Sequence, residues 1–200
     1  MPSPPAISPA IIYHIFNRGN NRENLFIEER NYLYFLLLLE KYIAPIAEIY
    51  AYCLLGNHFH LLVRILSLTG LKALGISSPP FRNFSNFFNA YAKSFNHAFA
   101  RTGSLFQHPF RRVPVQSDAQ FLHTVRYIHH NPLKHGFVDD FRDWPYSSYE
   151  DLLSTKESFL EKDAVLGYFG GREEFVRFHE DQTLKVAVPE TLRVLRIDDL

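Results

Sequence analysis

The chain has one cysteine, Cys53, among 200 residues. That excludes a disulfide framework and a cysteine-built zinc site, and it suits a reducing, cytoplasmic setting. Long apolar runs are also missing: Leu36–Leu39 stops at Glu40-Lys41, far short of a membrane span. No charged, apolar leader opens the chain. Residues 1–10 carry four prolines and read as a flexible arm. Net charge is absent as well, since 21 Lys+Arg balance 21 Asp+Glu. The balance hides a split. Residues 1–135 hold 13 basic against 6 acidic side chains, a net of +7, and residues 136–200 hold 8 against 15, a net of −7. This predicts a basic working body with an acidic tail region.

Aromatic residues are plentiful, with 19 Phe and 11 Tyr. The length suits one domain with a sizeable core. Basic residues interleaved with rings suit single-stranded nucleic acid, where Lys/Arg meet phosphates and bases stack on rings.

The most informative run is Leu54-Leu55-Gly56-Asn57-His58-Phe59-His60-Leu61-Leu62-Val63. Its flanks are apolar and β-prone, so it reads as a buried strand. His58 and His60 then share one face, with Phe59 and Leu61 on the other. Two imidazoles about 7 Å apart on one face can hold a metal ion in a pincer. With ten His in the chain, chance supplies about 0.5 such pairs, so spacing alone is weak. Two core histidines bonded to backbone are the competing reading. A third ligand and a nucleophile decide between the two.

Periodicity predicts a first strand over Ile11–Asn17, a polar turn through Arg22, and a helix over Glu28–Ile43 that Pro45 ends. Strands follow at Ile46–Leu54 and His58–Ile65, joined at Gly56-Asn57. After a connection over Leu66–Pro80 come a helix over Phe81–Arg101 and a strand over Phe110–Val115. A third helix spans Asp118–Asn131, opened by Ser117-Asp118, with Pro132 at its end. Trp144–Leu153 and Gly171–His179 read as short helical pieces. The order predicts an α+β, ferredoxin-like split βαβ sandwich, with an antiparallel sheet and helices on one face. Residues 1–10 are the arm, 11–150 the domain, and 151–200 an acidic, partly helical C-terminal extension.

On the third helix, Phe121, Leu122, Val125 and Ile128 form the stripe that packs on the sheet. Tyr127 and Asn131 sit one turn apart on its flank. A Tyr hydroxyl can be a covalent nucleophile, but its free pKa near 10 makes it weak, so the target needs polarising. A divalent ion held by His58, His60 and the amide oxygen of Asn131 would do this. Such mixed ligands suit Mn²⁺, and Mg²⁺ is tolerated. The plainer alternatives are a boundary ring at Tyr127 and a helix cap at Asn131. His129 and His130 point elsewhere and read as surface or phosphate contacts, while Lys134 and His135 stand ready for a DNA backbone.

Five blocks converge on a family. They are Tyr13-His14-Ile15-Phe16-Asn17-Arg18-Gly19, Gly56–Val63, Gly103-Ser104-Leu105-Phe106-Gln107, Tyr127–Gly136, and Trp144-Pro145-Tyr146-Ser147-Ser148-Tyr149. Across about Ile12–Tyr149 the chain resembles the single-tyrosine HUH transposases, most closely their REP-associated tyrosine transposase branch. The resemblance implies metal ligation by His58, His60 and Asn131, and attack by Tyr127 that leaves a 5′-phosphotyrosine and a free 3′-hydroxyl. It implies single-stranded DNA with hairpin repeats as partner, with monomer and homodimer both open. One departure is Gly56, where the family usually has proline before the Asn-His pair. Charge and position put Arg18, Arg22, Arg111 and Arg112 on the DNA backbone. A hairpin-binding relative that does not cut, and a nuclease that uses water, are the other readings. The acidic extension would cover the DNA groove and restrain activity.

Overall fold

Four runs of β-branched and aromatic residues form one antiparallel sheet in the structure, a computed structural model that describes residues 5–184. The strands are β1 (Ile12–Arg18), β2 (Ala47–Leu55), β3 (His58–Ile65) and β4 (Arg111–Val115), in the order β2-β3-β1-β4. The helices, in chain order, are α1 (Glu29–Tyr42), α2 (Leu68–Ala73), α3 (Pro80–Ala98), α4 (Asp118–Lys134), α5 (Tyr149–Leu153), α6 (Lys162–Phe169) and α7 (Arg172–Glu180). This is the expected ferredoxin-like α+β sandwich. None of the helices among the described residues is long and apolar enough to cross a membrane.

The side-chain alternation of β3 decides what each face of the sheet carries. Phe59 points toward α1 and α3, meeting Phe35 at 5.0 Å and Phe88 at 5.7 Å between ring centroids. These two crossover helices share one face, as the split βαβ pattern requires. His60 points the other way, toward α4, whose Tyr127 ring lies 5.6 Å away. The single-face expectation therefore holds for α1 and α3, and α4 adds a layer on the opposite face. Phe121, Val125 and Ile128 of α4 are buried there, with Leu122 only half-buried at the margin.

α4 runs past its expected end at Asn131 to Lys134, with Pro132 inside it. Pro132 lacks an N–H, but the last turn is closed from beyond. Phe137 N–H donates to the Pro132 carbonyl at 2.9 Å and Gly136 N–H to that of Leu133 at 3.1 Å. Gly136 takes the left-handed conformation, φ 70°, that this ending needs. α2 and α6 were not legible, being short with one and two buried side chains respectively. Trp144–Ser148, expected to be helical, instead runs along β2.

That path, continued by the C-terminal extension, shows what the end of the chain does for the fold. The free edge of β2 is covered by Leu54 N–H to the Tyr146 carbonyl, Ser148 N–H to Tyr52, and Glu161 N–H to Ile49. Covering an edge removes a template for unwanted strand pairing. α7 then grips the flank of α4. Arg126 donates to the carbonyls of Phe178 (3.1 Å) and Asp181 (2.9 Å), and His130 Nε2 donates to that of His179 at 3.0 Å. His129 lies in a chain of neutral groups. His179 Nδ1 donates to the Phe175 carbonyl at 2.8 Å, so its Nε2 accepts from His129 Nδ1 at 2.9 Å. His129 Nε2 in turn accepts from the Ser148 hydroxyl at 2.8 Å.

His129 and His130 are therefore buried anchors, which corrects their reading as surface or phosphate contacts. The wheel placed them off the sheet, and α7 is what covers them there. The extension's expected role over a DNA groove divides. Its described part packs on α4 and β2, and residues 185–200 lie outside the described residues.

Burial holds His130 at about 4 and His179 at about 3, and it holds His129 well below the ordinary imidazole value. An unfolded chain takes up these protons near pH 6.5, the folded one only far lower. Stability is thus complete above about pH 6.5 and declines as pH falls toward 4. Each imidazole removes at most about 1.4 kcal/mol per pH unit in that window. Thermal melts followed by circular dichroism from pH 7.5 to 4.5 should show a progressive fall below pH 6.5. A flat profile to pH 4.5 would contradict the neutral chain.

Candidate active site

Strand register assembles the site. Across β1 and β3, Arg18 lies opposite His58 and Phe16 opposite His60, and His14 faces Leu62. Across β1 and β4, Arg111 lies opposite Phe16 and Arg112 opposite Ile15. Directly paired residues project to the same face. One face therefore gathers His14, Phe16, Arg18, His58, His60 and Arg111, and α4 lays Tyr127 and Asn131 over it. Ring centroids are 5.3 Å apart for His58 and His60, and 6.0 Å for His14 and Tyr127. His58, His60, Tyr127 and Asn131 are each at most 1% exposed.

His58, His60 and Asn131 each have one side satisfied. His58 Nδ1 donates to Asn57 Oδ1 at 2.7 Å, and His60 Nδ1 bonds His14 Nε2 at 3.0 Å. Asn131 Nδ2 donates to the Tyr127 carbonyl one turn back, at 2.7 Å. Their other sides, His58 Nε2, His60 Nε2 and Asn131 Oδ1, are buried without a hydrogen-bond partner among the described residues, as is His14 Nδ1. Lone pairs left bare in a buried pocket are costly unless something takes them up.

Electrostatics keep both imidazoles neutral. Burial first, then the neighbouring His135, Arg18 and Lys134, pushes His58 down to about 3. Burial, then His14 and His58, holds His60 well below the ordinary value. Neutral imidazole is the form that ligates metal. No group of three or more His, Cys, Asp or Glu among the described residues is arranged to hold a metal ion. A metal here therefore depends on the amide oxygen of Asn131. The donor set of two imidazole nitrogens and one amide oxygen fits a divalent ion such as Mn²⁺ or Mg²⁺.

The basic residues separate. Lys134 ends α4 and His135 caps it. Lys134 Nζ is 5.3 Å from the Tyr127 ring, and the His135 ring is 5.0 Å from that of His58. Arg18 sits beside Arg22, whose like charge adds to burial in lowering the Arg18 pKa. Arg112 does not join them. It turns to the other face, donates to the carbonyl of Pro5 in the N-terminal arm, and lies 4.9 Å over the Phe110 ring. Strand parity separates it from Arg111, correcting their joint placement. Gly19 closes the site's margin. Its N–H donates to the Asn57 carbonyl at 2.9 Å, and a Cβ there would collide with the Glu23 carbonyl.

Sequence reasoning missed the contacts of His14 and Asn57. Asn57 borders the His pair, so its reach was visible in principle. His14 contacts His60 across 46 positions, and only strand register reveals it.

Removing the bare carbonyl should help the fold. Asn131→Leu deletes a buried acceptor without a partner and loses one side-chain bond. The metal-free protein should be unchanged or more stable, by up to about 1 kcal/mol. Urea denaturation in the presence of a chelator measures this. A loss above about 1 kcal/mol would mean that the carbonyl is satisfied.

No family model matches the chain. It is 30% identical over 104 residues to a Haemophilus influenzae protein assigned as a REP-associated tyrosine transposase, covering 51% of this chain and 58% of that protein. It is 33% identical over 67 residues to a REP-associated tyrosine transposase of Escherichia coli, covering 34% and 40%. The matches thus span about half the length of these curated relatives. Among solved structures, a REP-associated tyrosine transposase bound to a REP hairpin aligns with a TM-score of 0.58. That alignment covers 78% of this chain and 86% of the other at 20% identity, which is a likeness of fold. In sequence the chain is similar to REP-associated tyrosine transposases, and it shares their α+β fold.

Proposed function

We propose that this chain is a transposase of the REP-associated tyrosine kind, which cuts and rejoins single-stranded DNA beside hairpin repeats. The carrying observation is that His58 Nε2, His60 Nε2 and Asn131 Oδ1 are buried acceptors without hydrogen-bond partners among the described residues, with the Tyr127 ring 5.6 Å from that of His60. Similarity to relatives so named, one of them solved on a REP hairpin, supports the choice of partner.

In this reading His58, His60 and Asn131 hold a Mn²⁺ or Mg²⁺ ion. When bound, the ion supplies Lewis-acid polarisation of the scissile phosphate. Arg18, Lys134 and His135 receive the flanking phosphates, with Arg22 and Arg111 further out. The Tyr127 hydroxyl oxygen attacks phosphorus and gives up its proton. The bond from phosphorus to the 3′ oxygen breaks, and that oxygen leaves as a 3′-hydroxyl. The 5′ end stays on Tyr127 as a phosphotyrosine. Attack by another 3′-hydroxyl reverses the step, so phosphodiester energy is kept and no nucleotide cofactor is consumed.

The test is a denaturation-resistant protein–DNA adduct, formed with Mn²⁺ and labelled single-stranded DNA carrying the hairpin repeats that flank the gene. The wild type should form it, and Tyr127→Phe should reduce it at least 100-fold while still binding the hairpin. Hairpin binding without cleavage would favour a non-catalytic hairpin binder. Cleavage without an adduct would favour a hydrolytic nuclease.

A further inference from the structure

His14 has no part in the scheme above, yet it is fully buried at its centre. Its Nε2 lies 3.0 Å from His60 Nδ1, and the two rings are stacked at 5.1 Å. Its edge meets the Tyr127 ring at 6.0 Å. Its remaining nitrogen, Nδ1, is buried with no hydrogen-bond partner among the described residues.

A neutral imidazole has one N–H and one lone pair. His60 can offer Nε2 to a metal only if its proton sits on Nδ1. That proton must then be donated to His14 Nε2, which in turn requires His14 to carry its own proton on Nδ1. The opposite arrangement, with His14 Nε2–H donating to His60 Nδ1, would place the His60 proton on Nε2 and block ligation. The neighbouring ligand shows the same logic in simpler form. Asn57 Oδ1 accepts from His58 Nδ1 at 2.7 Å and leaves His58 Nε2 bare.

We propose that His14 is a positioning residue that holds His60 in its metal-binding tautomer and ring orientation. The inference rests on the metal reading of the site. It goes beyond that reading in assigning a role to a residue that touches neither metal nor DNA. Metal-bound histidines commonly donate their second N–H to a carboxylate or carbonyl. Here the acceptor is a second neutral imidazole, so the support adds no negative charge beside the arriving phosphate.

Two measurements test it without DNA. Long-range proton–nitrogen NMR of the metal-free wild type should find His60 as the Nδ1–H tautomer, and finding it as Nε2–H would overturn the proposal. Titration of Mn²⁺ followed by electron paramagnetic resonance should show a 10–100-fold weaker dissociation constant for His14→Phe, the usual effect of losing such a partner. His14→Gln, whose side-chain oxygen reaches the same point, should recover to within about threefold of wild type. Equal affinity in the wild type and His14→Phe would remove the role of His14 and leave the metal site standing. His60→Ala marks the metal site itself, and if its Mn²⁺ binding matched the wild type, both readings would fall.

Discussion

The seating of α4 on the sheet is the constraint on which the rest depends. Two histidines of β3 and two residues of α4 meet only because that helix lies across the face opposite α1 and α3. Phe121, Val125 and Ile128 supply the apolar contact, which is non-directional and would tolerate sliding. Direction comes from the other flank, where Arg126, His129 and His130 are bonded to Ser148 and α7. Residues 144–184 thus serve as a buttress. They cover the edge of β2 and hold the helix that carries Tyr127.

The pocket under α4 keeps unpaired polar atoms at a cost in stability. Its nitrogen and oxygen atoms are buried and left without hydrogen-bond partners among the described residues, which an ordinary core avoids. Neutral imidazoles limit the penalty, since charged ones would be far more costly there. Basic groups lie close by: Lys134 is exposed at the end of α4, His135 caps that helix, and Arg18 is buried at the end of β1. In the proposed function, a phosphate meets the positive charge of Lys134 before it reaches His58 and His60.

Much of this was legible in the sequence because it follows from short periods. The alternation around Phe59 put His58 and His60 on one face. The helical spacing of Phe121, Val125 and Ile128 placed Tyr127 and Asn131 on the flank of the same stripe. Gly56-Asn57 marked the turn between β2 and β3. What was not legible depends on long-range register or on cover supplied from afar. His14 reaches His60 only through the pairing of β1 with β3. Arg112 differs from Arg111 by strand parity and by its bond to the arm. His129 and His130 look solvent-facing on a wheel until α7 is laid over them. Pro132 reads as a stop, yet Gly136 and Phe137 close the turn beyond it.

The central claim is that His58, His60 and Asn131 point three bare acceptors at one ion beside Tyr127. Anomalous diffraction at the manganese edge, from crystals soaked in Mn²⁺, tests it most directly. The account predicts a peak within about 2.0–2.4 Å of His58 Nε2, His60 Nε2 and Asn131 Oδ1 together. A peak seated elsewhere, or none at these atoms at saturating Mn²⁺, would contradict it.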